Sequence, residues 1–218
     1  MIEWSIDAFR ACESVGAIVV AAPPGVGDET KYGPVVPTSA SMAEDLTVVP
    51  GGETRAQSVS NALKAVGTDY VAIHDAARPL LTPELVEALV AGLDANPDAA
   101  GVIAAAPVVD TIKRAAGKSR SASTTLCGAN ALLVLEGTED RSRLWAAQTP
   151  QVFRTDALRE ALAAAERPEE ATDEAMLVEQ AGGKILLHPV EGQNLKVTTP
   201  LDLRVAELLL ADRAAAGA

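Results

Sequence analysis

An α/β fold, with a largely parallel sheet covered by helices on both faces, follows from three observations on this chain. Short apolar runs rich in Val, Ile or Ala alternate with stretches of helical periodicity, and such alternation marks a parallel sheet. Hydrophobic residues make up 48% and charged residues 22%, the balance of a globular chain. Aromatic residues are only 3%, so Ala, Val and Leu must fill the core, and these suit helices packed on a sheet.

The elements read in order. Strands are expected at Ala17–Ala22, Leu46–Val49, Tyr70–His74, Ala100–Ala106 and Lys184–Pro189, each bounded by Gly, Pro or Asp. Helices are expected between them at about Glu3–Cys12, Thr54–Val66, Pro83–Asn96, Thr155–Glu166 and Thr172–Ala181. Thr82-Pro83 and Thr199-Pro200 each put a capping hydroxyl before a proline at the first helical position, and Asp202 can complete a capping box. The last helix should therefore run from Pro200 to about Ala214, with Leu201, Val205, Leu208 and Leu209 as its buried stripe. Gly25–Met42, rich in Gly, Pro and Ser, reads as a long surface loop. Gly117–Glu139 also breaks the alternation, with the apolar run Ala129–Leu135 set in polar sequence and in need of a cover. At 218 residues, against a prior of about 100 to 200 per domain, the chain is one domain, or one with an appendage.

Composition excludes some functions. A net charge of −12 argues against a nucleic-acid binder, which needs clustered Lys and Arg to displace counterions. A small anion can still be held where Arg55, Arg78, Lys113, Arg141 and Lys196 converge. Cys12 and Cys127 are too few and too far apart for a disulfide framework or a zinc site, and Cys12 reads as an ordinary buried thiol. With no signal peptide and no apolar run of roughly 18 residues, the chain is expected to be cytoplasmic and to have no membrane partner.

The stretch Ile73-His74-Asp75-Ala76-Ala77-Arg78-Pro79 ends an apolar run with a carboxylate and places a guanidinium three residues later. Open α/β sheets bind ligands at that edge. A carboxylate can hold a divalent cation and an arginine can grip a phosphate with two parallel hydrogen bonds, so the pair suggests phosphate chemistry. An isolated Asp-x-x-Arg is more often a local ion pair in a turn. Lys196, flanked by Leu195 and Val197 in what reads as an apolar strand, either snorkels to the surface or points at an anion. His74 and His188 are read as structural.

Asp75 and Arg78 keep ordered company. Gly51-Gly52-Glu53-Thr54-Arg55-Ala56-Gln57-Ser58 lies upstream, and Asp110-Thr111-Ile112-Lys113-Arg114, Gln148-Thr149-Pro150-Gln151, Thr172-Asp173-Glu174-Ala175 and Asn194-Leu195-Lys196-Val197-Thr198 follow. This set resembles the 2-C-methyl-D-erythritol 4-phosphate cytidylyltransferase family over essentially the whole chain. The resemblance implies a Rossmann-like three-layer nucleotidyltransferase fold with a mostly parallel sheet, one domain over residues 1–218, and a dimerisation arm over residues 111–143. That arm is longer and less charged here than is usual.

It also implies transfer of CMP from CTP to a polyol phosphate with Mg2+ as cofactor. The product would be the CDP-alcohol, and the chain a homodimer that binds no nucleic acid. By resemblance Lys196 and Asp75 are catalytic, Asp75 being also the metal ligand. Gly52, Glu53, Ser58 and Ala76 contact the nucleotide and Arg55 orders their loop, while Arg78, Thr111, Arg141, Thr149 and Thr172 hold the acceptor. Three simpler roles stay open: Ser58 facing solvent from a tight turn, Asp110 as a cap or turn residue, and Thr172 as part of a helix start.

The family pattern opens with a strand, an Ala-Ala-Gly-x-Gly-x-Arg loop and a Pro-Lys-Gln segment, none of which occurs here. Ala21-Ala22-Pro23-Pro24-Gly25-Val26-Gly27 is no substitute, since it lacks the loop's basic residues, and the nearest lysine is Lys31. The expectation is an N-terminally truncated chain whose activity is lowered by orders of magnitude. The strands near Ile18 and Ile73 would lie two spacings apart, about 10 Å, unless they pair directly. Two alternatives remain: a ribitol 5-phosphate cytidylyltransferase, and a non-catalytic dimerising or nucleotide-binding remnant.

Overall fold

The computed structural model describes residues 1–23, 45–116, 133–190 and 194–216. The expected Gly25–Met42 loop, Lys31, Cys127 and the first part of the Ala129–Leu135 run lie outside them. The described chain clusters into two compact units, residues 1–105 with 147–218, and residues 106–146.

The larger unit opens with α1 (Ile2–Arg10), which buries Ile6 and Ala8 and whose Arg10 pairs with Asp45 at 2.9 Å. β1 (Ile18–Ala22) and β2 (Leu46–Pro50) pair in parallel, from Ile18 opposite Leu46 to Ala22 opposite Pro50. α2 (Arg55–Leu63) starts at a full capping box, in which Thr54 accepts from the Gln57 amide and the Gln57 side chain accepts from the Thr54 amide. Arg159 closes its other end by donating to the carbonyls of Leu63 and Val66.

A second sheet has the order β3 (Tyr70–Ile73), β7 (Trp145–Arg154), β4 (Gly101–Pro107), β8 (Ile185–Pro189). β4 and β8 are parallel, while β3 and β7 are antiparallel, so the sheet is mixed. β7 was not among the expected strands, because Gln148-Thr149-Pro150 puts polar residues and a proline where an alternating strand would be sought. The Thr149–Pro150 peptide is cis.

Helices cover both faces. Ile103 and Phe153 turn towards α2, α4 (Thr155–Ala164) and α5 (Glu174–Gln180), whereas their neighbours Val102 and Val152 pack against Leu89 and Leu93 of α3 (Pro83–Asp94). This is the period-two alternation of strands buried on both sides. Full burial of side chains such as Phe153, Leu89 and Leu158 contributes about 1.5 to 3 kcal/mol each. Cys12 is buried, its thiol donating to the Ala8 carbonyl.

α6 (Pro200–Ala216) begins as expected, with Asp202 accepting from the amides of Thr198 and Thr199 and Thr199 accepting from the Asp202 amide. Of its expected stripe only Leu209 turns inward. Leu201 and Leu208 are 68% and 63% exposed, whereas Ala206 is buried and Arg213 reaches the Leu80 carbonyl. The inward line runs through Asp202, Ala206, Leu209, Leu210 and Arg213, one step round the helix from Leu201, Val205 and Leu208. A small residue allows close approach, and hydrophobicity alone does not reveal that. Lys196 also differs from expectation, since residues 194–198 form no strand.

β1 and β3 do not pair. A cavity of about 750 Å3 lies between them, walled also by α1, α2 and α3.

The smaller unit contains β5 (Lys113–Ala115) antiparallel to β6 (Leu135–Thr138), with a bulge at Arg114/Ala115. A 3-10 turn at Arg141–Arg143 is capped by Asp140, and Arg114 pairs with Glu139. Val109, Leu133, Val134 and Leu135 are all more than half exposed in it. Among the described residues no helix is long and apolar enough to cross a membrane.

Candidate active site

Four stretches of the larger unit converge at the C-terminal end of β3. Asp75 follows β3 and is the centre. One carboxylate oxygen faces the Arg55 guanidinium at 3.3 Å and the other faces the Lys196 ammonium at 2.7 Å. Arg55, in the first turn of α2, also grips both carboxylate oxygens of Glu174, the first residue of α5. Glu174 is only 1% exposed. Sequence reasoning gives it no role beyond a place in the Thr172-Asp173-Glu174-Ala175 motif.

The charges are tuned by these contacts. Burial pushes the Asp75 carboxyl up, but the Lys196 and Arg55 cations outweigh it and leave its pKa below the ordinary value. For Glu174 burial wins over Arg55 and holds the carboxyl above its ordinary range. Burial opposes charge on Arg55 too, and the carboxylates of Glu174 and Asp75 more than offset it. Burial lowers the Arg78 pKa, opposed by the Asp75 charge.

The Asp75–Arg78 turn is held from three sides. Its own bond runs from the Arg78 amide to the Asp75 carbonyl at 2.9 Å. Arg78 donates to the Asn194 carbonyl, and the Val197 amide donates to the Ala77 carbonyl, so the Lys196 segment is tied to the turn. Asn194 is buried and donates to the Gln148 side chain and the Thr149 carbonyl. The Arg78 Nε has no partner among the described residues.

A chain of hydrogen bonds supports the turn from inside. The Asp75 amide donates to the Thr149 hydroxyl at 3.0 Å, that hydroxyl lies 3.1 Å from His74 Nδ1, and His74 Nε2 lies 3.2 Å from the Arg78 carbonyl. A carbonyl only accepts, so Nε2 carries the proton and Nδ1 accepts from Thr149. Burial lowers the His74 pKa to about 4, which keeps the ring neutral at neutral pH. Phe9 meets it edge-on at 5.6 Å.

The glycine turn stands beside this cluster. A Cβ on Gly51 would lie 2.8 Å from the Ala22 carbonyl oxygen, and one on Gly52 2.3 Å from the Gln57 Cβ, so both positions require glycine. Ser58 accepts from the Gly52 amide and donates to the Thr54 carbonyl, which fixes the turn to α2. Glu53 is exposed, with its amide on Gln57. Ala76 lines the cavity below the turn.

The larger unit therefore brings Gly52, Ser58, Arg55, Asp75, Ala76, Arg78, Thr149 and Lys196 together. Thr172 stands two residues before Glu174, exposed, and Asp173 rather than Thr172 caps α5. Thr111 and Arg141 belong to the smaller unit, where both are exposed and Arg141 donates to the Val109 carbonyl.

Three cations (Arg55, Arg78, Lys196) face two carboxylates (Asp75, Glu174) in a chain of net charge −12, a local excess of positive charge suited to phosphates. Among the described residues no three His, Cys, Asp or Glu side chains group to hold a metal. One carboxylate is still a fitting donor set for a cation that takes its other ligands from phosphates and water.

A family model described as 2-C-methyl-D-erythritol 4-phosphate cytidylyltransferase matches residues 1–212. A curated relative of that name from Prochlorococcus marinus is 36% identical, over 98% of this chain and 87% of its own. One from Microcystis aeruginosa is 37% identical over the same shares. Among solved structures, the protein of that name from Thermus thermophilus aligns with a TM-score of 0.71 at 31% identity, covering 95% of this chain and 87% of that one.

Proposed function

The chain belongs to the 2-C-methyl-D-erythritol 4-phosphate cytidylyltransferase family, and on that premise we propose that it transfers CMP from CTP to 2-C-methyl-D-erythritol 4-phosphate. A phosphate oxygen of the acceptor attacks the α-phosphorus of CTP in line. The bond from that phosphorus to the bridging oxygen breaks, and pyrophosphate leaves. No protein nucleophile is required, so catalysis rests on position and charge.

The observation that carries this reading is Asp75 with a cation on each oxygen, Arg55 on one and Lys196 at 2.7 Å on the other. Lys196 is half-exposed in its side chain and stands ready to exchange Asp75 for the α-phosphate, where it stabilises the charge gathering on the equatorial oxygens. Asp75 is the residue that would hold Mg2+, a cation that neutralises triphosphate charge when bound. Arg55 keeps the Asp75 carboxylate aimed, and Glu174 keeps Arg55 aimed.

Nucleotide recognition falls to Gly52, Glu53, Ser58 and Ala76. Arg78, Thr111, Arg141, Thr149 and Thr172 serve the acceptor. For Arg78 the support is its buried Nε, which has no partner among the described residues, and for Thr149 it is the hydroxyl chain that fixes the turn bearing Arg78. We further propose a cytoplasmic homodimer built through residues 111–143, because Leu133, Val134 and Leu135 would otherwise stay in water.

Calorimetry of CTP binding with and without Mg2+, joined to a coupled pyrophosphate assay, tests the function. Cation-dependent CTP binding and pyrophosphate release that requires 2-C-methyl-D-erythritol 4-phosphate are expected. Release that follows ribitol 5-phosphate instead would overturn the acceptor assignment.

A further inference from the structure

We infer that Gln148 is a further specificity residue for the acceptor, its side-chain amide donating to a hydroxyl oxygen of the polyol; the inference rests on the transfer reaction proposed above. A network of hydrogen bonds fixes which end of that amide is free. The side-chain nitrogen of the buried Asn194 lies 2.8 Å from the Thr149 carbonyl oxygen and 3.0 Å from the Gln148 side chain. A carbonyl only accepts, so the Asn194 group beside it is the NH2, and its two protons serve the two contacts. The Gln148 atom that meets the second proton is therefore Oε1.

Neither amide can be turned over. A reversed Gln148 would set its own N–H groups against those of Asn194, and a reversed Asn194 would set its oxygen against the Thr149 carbonyl. Gln148 Nε2 is thus left at the free end of a half-buried side chain, with no partner among the described residues. Its orientation is settled before any ligand arrives, so little rotamer freedom remains to be lost on binding.

The frame that holds this amide also holds the acceptor machinery. Arg78 donates to the main-chain carbonyl of the same Asn194 at 2.7 Å, and Lys196 stands two residues further along. The Gln148 carbonyl accepts from the Gln151 side chain, which is anchored in turn on Asp173 at 2.8 Å. Arg78 and the Gln148 amide are each one hydrogen bond from Asn194, so a polyol phosphate gripped by the guanidinium keeps its carbon chain close to the amide. Arg78 and Lys196 already supply the charge that phosphate needs. A neutral pair of N–H donors suits the neutral oxygens of the polyol instead. An acceptor without the matching hydroxyl would leave the amide unpaired, which discriminates between polyol phosphates.

Gln148→Glu separates this role from a structural one. A carboxylate still accepts from Asn194, so the internal bond and the thermal midpoint should be kept, while the free end changes from a donor to a charged acceptor. Calorimetry at pH 8 with 2-C-methyl-D-erythritol 4-phosphate should show affinity lowered about tenfold or more, with a smaller change for CTP. Gln148→Met removes the donor and the Asn194 acceptor together, so it should weaken acceptor binding about 3- to 10-fold and lower the thermal midpoint as well. The unaltered chain gives a reading that no variant's folding can disturb. In 15N-labelled protein the Gln148 side-chain amide signal, assigned through its side-chain carbons, should move on adding 2-C-methyl-D-erythritol 4-phosphate and stay in place on adding inorganic phosphate. Equal acceptor affinity in the parent and in Gln148→Glu would overturn the proposal and leave the transfer reaction standing. An amide signal that follows inorganic phosphate equally would overturn the hydroxyl assignment. A parent chain that binds no 2-C-methyl-D-erythritol 4-phosphate would overturn the transfer reading, and this proposal with it.

Discussion

Glu174→Gln offers the sharpest probe of the site, because it removes one charge and keeps the side-chain shape. At about 4 Å between charge centres and an effective dielectric constant of about 20, the Arg55–Glu174 attraction is about 4 kcal/mol. The neutral amide escapes the desolvation that holds the Glu174 carboxyl above its ordinary range, so the cost falls on Arg55, which keeps its own desolvation and loses a carboxylate partner. Breaking a buried pair from one side typically costs about 3 to 5 kcal/mol. Arg55 keeps Asp75 as a second partner and its side chain is 38% exposed, so we predict a loss of about 2 to 3 kcal/mol. Urea denaturation should show a lower midpoint with an unchanged slope. A double-mutant cycle with Arg55→Met and Glu174→Met isolates the pair and should give a coupling energy above about 1.5 kcal/mol. CTP affinity should fall in parallel, because Asp75 loses its support. A coupling energy near zero would refute the reasoning and reduce the contact to a loose surface pair.

Asp75→Asn should abolish Mg2+-dependent CTP binding, since an oxygen ligand and its charge go together; unchanged affinity by calorimetry would contradict the metal role. Lys196→Met should lower kcat by about 100- to 1,000-fold with a smaller effect on KM, as measured by pyrophosphate release. Thr149→Val leaves the Asp75 amide without its acceptor and should destabilise by about 1 to 3 kcal/mol, readable as a shift of the urea midpoint. Burial, helped by the Glu87 and Glu84 charges, pushes the Cys12 thiol up to about 11 from the ordinary 9.0. In a Cys127→Ser background its alkylation at pH 8 should therefore run about 100-fold slower than that of an open-chain peptide thiol.

Local signals were legible where local chemistry decides. The Thr199–Asp202 capping box stands as read, because it lies within four residues of chain. The Asp75, Arg78 and Lys196 motifs meet, because a strand end and a neighbouring segment bring them together. What escaped depends on contacts distant in sequence. β7 holds its place between β3 and β4 by pairing, despite a proline and two glutamines. Glu174 reads as the first residue of a helix, and only folding sets it against Arg55, 119 positions away. On α6 the leucines drew attention to one face while packing space selected the face with Ala206.

The bond from the Val197 amide to the Ala77 carbonyl, with that from Arg78 to the Asn194 carbonyl, has a mechanical consequence. The lysine segment has no ladder of its own and takes its register from the turn bearing the carboxylate. Any displacement of that turn, by a ligand or by a distant substitution, carries the ammonium with it. The spacing of the two opposite charges is thus insulated from drift in the surrounding scaffold. Substitutions far from the site should change how often the pair meets a nucleotide more readily than how the pair is arranged.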